Sequence, residues 1–175
     1  MQPDHPFTCR MLLNRLDEES IEYQCVSHPP LMTVADAKAI RGQGESDQGQ
    51  VKNLFLKNKK SKMWLLTLHE NRKIDLNETA RCIGTRRFSF CSPERLMQYL
   101  GVKPGAVSPF GLLNDVHGEV EFYIDEILMH HPVIHVHPLD NTKTVAIGTR
   151  DLLEFLKRHG HPFNVLKTSG WSVET

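Results

Sequence analysis

Helix-spaced and strand-spaced apolar segments succeed one another along this chain in no regular order, and that irregularity excludes most architectures. Cys9, Leu12, Leu13 and Leu16 fall at i, i+3, i+4 and i+7, one face of a helix. Ile21, Tyr23 and Cys25 then alternate as strand residues do, with Cys25 expected as a small core residue. Thr33 and Asp36 make a capping-box pattern ahead of Val34, Ala37 and Ile40, and Gly42 is expected to stop that helix before the polar loop GQGESDQGQ. VKNLFLKN and KMWLLTL predict two strands joined around the basic tip KNKKSK. Asp75 with Glu78 then caps a short helix ending near Gly84, and RRFSF is strand-like.

The second half continues the mixture. Ser92 followed by Pro93 is an N-cap with proline at the first helical position, and Gly101 closes a helix carrying Leu96 and Leu100. GAVSPFGLLND at 105–115, EVEFYIDEIL and VIHVHPLDNTKTVAIG form a strand-rich region, after which Thr149 is expected to cap a helix bearing Leu152, Leu153 and Leu156. No βαβ repeat runs through this order, so the prediction is a mixed-sheet α+β fold rather than a doubly wound one. At 175 residues and 20.0 kDa, with no linker, repeat or low-complexity tract, residues 1–175 are expected to form a single domain.

Charge narrows the partners. Lys plus Arg number 21 and Asp plus Glu number 21, so net charge argues for neither a nucleic acid nor a membrane, and any such partner must be met by a local patch. The four cysteines show no CxxC pair, and MQPDHPFTCR lacks the basic start and apolar run of a signal peptide; a reduced, cytoplasmic protein is expected. No apolar stretch approaches the roughly 18 residues of a membrane span.

Several residues carry candidate chemistry. HHPVIHVH puts His135 and His137 on one strand face. Two imidazoles could begin a metal site, but no third ligand stands at finger-like or HExxH spacing, so no metal or cofactor is assigned. No nucleophile elbow surrounds any Cys or Ser. Lys52 shares a strand face with Leu54 and Leu56, while Asn53 and Phe55 point the other way. An ammonium among apolar neighbours is costly unless it snorkels or meets an anion or a carbonyl. In GAVSPFGLLND, two glycines and a proline forfeit ladder bonds and packing, which fits either a β-bulge or a backbone that something approaches closely.

KNLFLKN at 52–58, WLLTL, IDL, LGVKPGAVSPFGLLND at 100–115 and HPLDNT at 137–142, in that order, resemble the YbaK-like aminoacyl-tRNA editing family, and specifically its free-standing prolyl-tRNA deacylase branch. Gly105 to Pro109 matches the family's GxxxP loop, and the resemblance implies that family's fold, a mixed α+β domain with a curved central β-sheet flanked by helices. The resemblance implies a trans-editing enzyme that hydrolyses the ester between a wrong amino acid, alanine for this branch, and the terminal adenosine of tRNA(Pro). It places Lys52, Gly105, Ala106, Pro109 and His137 in the catalytic loop and pocket, and Asn53, Val107, Ser108 and Asn141 in substrate binding. On the same reading the backbone N–H groups of 105–108 face the ester oxygen, and a bound water acts with the substrate's own ribose hydroxyl. Lys57, Lys59, Lys60, Arg86 and Arg87, with Lys62, are the candidate phosphate contacts, unless the tip is simply solvated. The acceptor end of tRNA(Pro) is the implied partner, and prolyl-tRNA synthetase a candidate second one. Relatives often carry a small hydroxyl residue before the lysine, where this chain has Val51, which bears on amino-acid preference. A non-catalytic tRNA-binding module, a deacylase for cysteine or serine esters, and a metal-dependent hydrolase remain as alternatives.

Overall fold

The computed structural model describes residues 6–41 and 49–171. In chain order its elements are α1 (Cys9–Glu18), β1 (Tyr23–Ser27), α2 (Val34–Arg41), β2 (Val51–Lys57), β3 (Met63–His69), α3 (Leu76–Ile83), β4 (Ser89–Phe90), α4 (Pro93–Leu100), β5 (Val120–Asp125), β6 (Val133–Val136), β7 (Lys143–Gly148), α5 (Thr149–Arg158) and β8 (Phe163–Leu166). Short 3-10 helices cover Pro109–Asn114 and Glu126–His130.

The fold is mixed α+β, and its strands fall into two ladders. A five-stranded sheet has the order β4-β2-β3-β5-β8, and a three-stranded sheet the order β1-β7-β6. β2 and β3 form the antiparallel hairpin that the sequence predicts, with Lys52 opposite Leu68 and Leu56 opposite Trp64. β5 and β8 then add in parallel. An isolated bridge between Gln50 and His135 joins the two sheets at the entrance to β2.

All seven residues of β3 are buried, because this central strand is covered on both faces. On one face Leu65, Phe55 and Phe122 pack with Leu12, Leu100, Leu152 and Phe155 from three helices. On the other, Trp64, Leu66 and Leu68 pack with Leu56, Ala80 and Phe88. Each such side chain contributes about 1.5–3 kcal/mol by leaving water.

The local signals hold where chemistry is confined to a few residues. Thr33 Oγ1 accepts the Asp36 N–H at 3.1 Å and Asp36 Oδ2 accepts the Thr33 N–H at 3.0 Å, a closed capping box. Asp75 caps α3 and Ser92 caps α4, and Gly84 and Gly101 end them in left-handed conformations. Gly42 lies outside the described residues.

Other expectations are corrected. Cys25 is exposed, on β1 at the edge of the small sheet. RRFSF pairs only at Ser89 and Phe90, and 105–115 contains no strand. Thr149 is the first residue of α5 rather than its cap; its hydroxyl donates to the His131 carbonyl at 2.5 Å, tying α5 to the segment before β6. The sequence reading did not anticipate β8.

Candidate functional site

The start of β2, the residues around α2, β6 with the loop beyond it, and Gly105 with Val107 enclose a cleft of about 710 Å³. Lys52, Asn53, Gly105, Val107 and His137, five residues proposed from the sequence, all line it. So do His28, Glu70 and His135, which were not assigned to the site.

Lys52 meets the second of the two conditions set by its apolar neighbours: its Nζ donates to the main-chain carbonyl of Arg72, in the turn that follows β3. Antiparallel register makes this reach possible, since Lys52 lies opposite Leu68, just before that turn. Asn53, on the other strand face, accepts the Thr67 hydroxyl at 2.6 Å from the cross-strand position.

His137 follows β6, with its Nδ1 2.7 Å from the Lys143 carbonyl oxygen. A carbonyl can only accept, so Nδ1 carries the proton and Nε2 is the acceptor of the neutral ring. Burial pushes the His137 pKa down, outweighing the opposite pull of that carbonyl and of Asp140, while nearby His28 adds to the depression. The ring is therefore neutral at pH 7. His28 stands 5.9 Å away, centroid to centroid. Its Nδ1 donates to the Pro29 carbonyl at 2.8 Å, and its Nε2 stands 2.7 Å from the Thr144 hydroxyl. Two imidazoles thus furnish one wall.

Gly105 answers for its own place. Its φ is +90°, and a Cβ there would stand 2.8 Å from Met32 Sδ and 3.2 Å from Asn141 Nδ2. The groups that approach this backbone are therefore protein side chains at the cleft wall. Beyond it the extended chain alternates: Gly105 and Val107 line the cleft, while Ala106 and Ser108 turn into the core. The Ala106 N–H bonds to the Lys103 carbonyl at 3.1 Å, so it does not join a row of donors facing the cleft. Ser108 Oγ accepts the Phe110 N–H at 3.2 Å and so starts the 3-10 helix that Pro109, also buried, opens. Asn141 lies behind Met32, donating to the Leu31 carbonyl at 3.3 Å and to Met32 Sδ at 3.4 Å. The loop after β6 thereby holds the chain from His28 to Met32 against the cleft.

The basic residues separate into two groups. Lys59, Lys60, Arg86 and Arg87 line a groove of about 970 Å³ with Arg81 in the last turn of α3, which was not assigned from sequence. Lys57 is outside that groove; its charge instead acts on Cys91, whose thiol is raised to about 11 by burial against the opposing pull of Arg95 and Lys57. Lys62 is ion-paired with Glu121 at 2.8 Å and sits over the Trp64 ring. The groove lies at the far end of β2 from Lys52, roughly 20 Å away at the rise of an extended strand. Among the described residues no three His, Cys, Asp or Glu side chains converge as a metal site.

Comparisons with known proteins agree on one description. Residues 28–155 match the model of a family described as the aminoacyl-tRNA editing domain. The chain is 37% identical over 157 residues, 89% of its own length and 94% of the other, to the Prolyl-tRNA editing protein ProX of Acetoanaerobium sticklandii. It is 34% identical over 145 residues, covering 81% of itself and 77% of the other, to the Prolyl-tRNA synthetase associated domain-containing protein 1 of Danio rerio. A solved structure described as a candidate trans-editing enzyme for prolyl tRNA synthetase superposes with a TM-score of 0.66, covering 91% of this chain and 96% of that one. At 20% identity that likeness is one of fold. The family match begins at His28, one of the residues that line the cleft.

Proposed function

The chain belongs to the aminoacyl-tRNA editing domain family, and from that membership we propose that it is a trans-editing deacylase, hydrolysing the aminoacyl ester of mischarged tRNA(Pro) and releasing alanine. A synthetase pocket built for proline cannot strongly reject a smaller apolar residue, because a missing methylene is worth only about 1–3 kcal/mol. A second sieve that destroys the error supplies the remaining discrimination.

The observation that carries this reading is the meeting of Lys52, Gly105, Val107 and His137 in one cleft, although they come from three distant parts of the chain. In the reaction a water adds to the ester carbonyl and the ribose oxygen leaves. The Lys52 ammonium stabilises the developing oxyanion or holds the terminal phosphate. His137, neutral and pinned at Nδ1, bounds the space for the amino-acid side chain, and its Nε2 accepts from a donor on the substrate or on water. No carboxylate is needed as base if the ribose hydroxyl next to the ester orients the water. The arginines and lysines of the second groove carry the acceptor-stem phosphates, at a distance that leaves room for a single-stranded end to reach the cleft.

Residues 1–175 act in this reading as one editing domain in the cytoplasm, and prolyl-tRNA synthetase is the candidate standing partner. No helix among the described residues is long and apolar enough to cross a membrane. The test is deacylation of a panel of tRNAs charged with alanine, cysteine, serine or proline. Release of alanine from tRNA(Pro) above the other esters supports the proposal; binding of tRNA without release of any amino acid identifies a non-catalytic module instead.

A further inference from the structure

Asp125, the last residue of β5, is fully buried and accepts four hydrogen bonds. Its Oδ2 takes the His69 N–H at 3.1 Å and Arg72 Nε at 3.0 Å. Its Oδ1 takes the Ile127 N–H at 3.2 Å and the Thr168 hydroxyl at 2.5 Å. One carboxylate therefore ties the ends of β3 and β5 to the segment after β8, together with the turn that carries Arg72. The Arg72 side chain is only 9% exposed, so the ion pair is out of water.

A buried pair of this kind is weak support for a fold, since well-packed apolar residues often serve as well. Its position suggests a different use. Arg72 grips Asp125 through its guanidinium, and the carbonyl of the same residue accepts Lys52 Nζ. The turn is braced from within as well: the Arg72 N–H bonds to the His69 carbonyl at 3.0 Å and the Asn71 N–H to His69 Nδ1 at 3.1 Å. Resting on the deacylase reading above, we propose that the Arg72–Asp125 pair is a positioning device that sets the Lys52 ammonium at the aminoacyl end of the substrate. A lysine ends in a point charge on a flexible four-carbon stem, so an ammonium that must meet one atom needs an external anchor. A misplacement of about 1 Å can cost on the order of 100-fold in rate.

The experiment uses the full chain labelled with ¹³C- and ¹⁵N-lysine, in which Lys52→Arg identifies the Lys52 ε signal. Asp125→Asn removes the charge that orients Arg72, and Arg72→Lys keeps the charge but loses the planar fork. Thr168→Val removes one of the four bonds and leaves both charges paired, which keeps the test open if Asp125→Asn unfolds. In every variant whose thermal melt shows a folded protein, the Lys52 signal should move and kcat for alanine release should fall, by about 10- to 100-fold for Asp125→Asn and several-fold for Thr168→Val. KM should stay within about threefold, because the tRNA is held mainly by the distant basic groove. A folded variant of Asp125, Arg72 or Thr168 with the Lys52 signal unmoved overturns the proposal, whatever its rate, and so does a displaced signal with wild-type kcat. If the wild-type protein releases no alanine, the deacylase reading fails, while the Lys52 signal still decides whether the pair governs the lysine.

Discussion

Replacing Gly105 with alanine separates two costs that the structure allows to be estimated independently. The first is conformational: φ is +90°, a value that L-residues adopt only with strain, worth roughly 1–2 kcal/mol. The second is steric. The new Cβ would lie 2.8 Å from Met32 Sδ and 3.2 Å from Asn141 Nδ2, closer than such neighbours allow. Overpacking in a closed core costs about 1–3 kcal/mol. Met32, however, is 58% exposed and its thioether is the far end of a flexible side chain, so it can swing aside and this second cost should be small. The expected loss of stability is therefore about 1–2 kcal/mol, a fall of roughly 2–8 °C in Tm for a chain of this size. Activity should suffer more than stability, because a displaced Met32 gives up its hydrogen bond from Asn141 and intrudes on the cleft it lines. Urea unfolding and deacylation kinetics on Gly105→Ala, and on the double variant Gly105→Ala/Met32→Ala, measure both. The double variant should keep the stability loss and regain part of the rate. A single variant as stable as wild type would show that the left-handed backbone is not required, and a loss above about 4 kcal/mol would show that Met32 cannot yield; either result refutes the reasoning.

Lys52→Ala should abolish most alanine release while the protein stays folded, at a cost of about 1–3 kcal/mol for the Arg72 carbonyl left without its donor; near-normal turnover would remove Lys52 from the site. The affinity for tRNA should fall with salt, and neutralising Arg86 or Arg87 should reduce the slope of log K against log salt by about 1 for each phosphate no longer neutralised, whereas Lys62→Ala, whose charge is spent on Glu121, should change it little. His137 and His161 both have pKa values lowered by burial, so the unfolded chain takes up their protons first: their contribution to stability is complete above the ordinary histidine value and is lost as pH falls through the depressed folded values. Denaturant titrations between pH 7.5 and 4.5 should show that decline, and His137→Gln should flatten it in part, leaving the share of His161; an unchanged slope would contradict the neutral, buried ring.

What was legible in the sequence was what depends on near neighbours. The Thr33–Asp36 box, the Asp75 cap and the Ser92–Pro93–Gly101 frame of α4 are each complete within a few residues, and each stands as expected. Lys52 stood out because an ammonium among leucines needs a partner, but the partner, a carbonyl 20 residues away, could not be read from spacing. Cys25 alternates with apolar residues as a core residue would, yet alternation gives a period and not a cover, and on the edge strand β1 Cys25 is exposed. β8 is four residues long with one buried position, too little pattern to register. Ala106 and Ser108 were grouped with Gly105 because the loop was read as a unit, whereas its extended backbone sends alternate residues to opposite sides. The family match begins at His28, so a signal for that residue lay in the sequence. Glu70 and the Arg72–Asp125 pair had none, since the latter joins residues 53 apart through a parallel ladder that only the fold creates.

The central claim is hydrolysis of a mischarged ester in the cleft of Lys52 and His137. The most direct measurement is the single-turnover rate of alanine release from Ala-tRNA(Pro) beside that of proline release from Pro-tRNA(Pro), for the wild-type protein and for His137→Ala, at several pH values. Wild type should release alanine and spare proline. The variant should lose alanine rate and gain proline rate, since truncating the ring loosens the small substrate and admits the larger one. An unchanged ratio, with the pH profile losing a limb in the imidazole range, would contradict the steric account and make His137 an acid-base group; release of neither amino acid by wild type would contradict the claim itself.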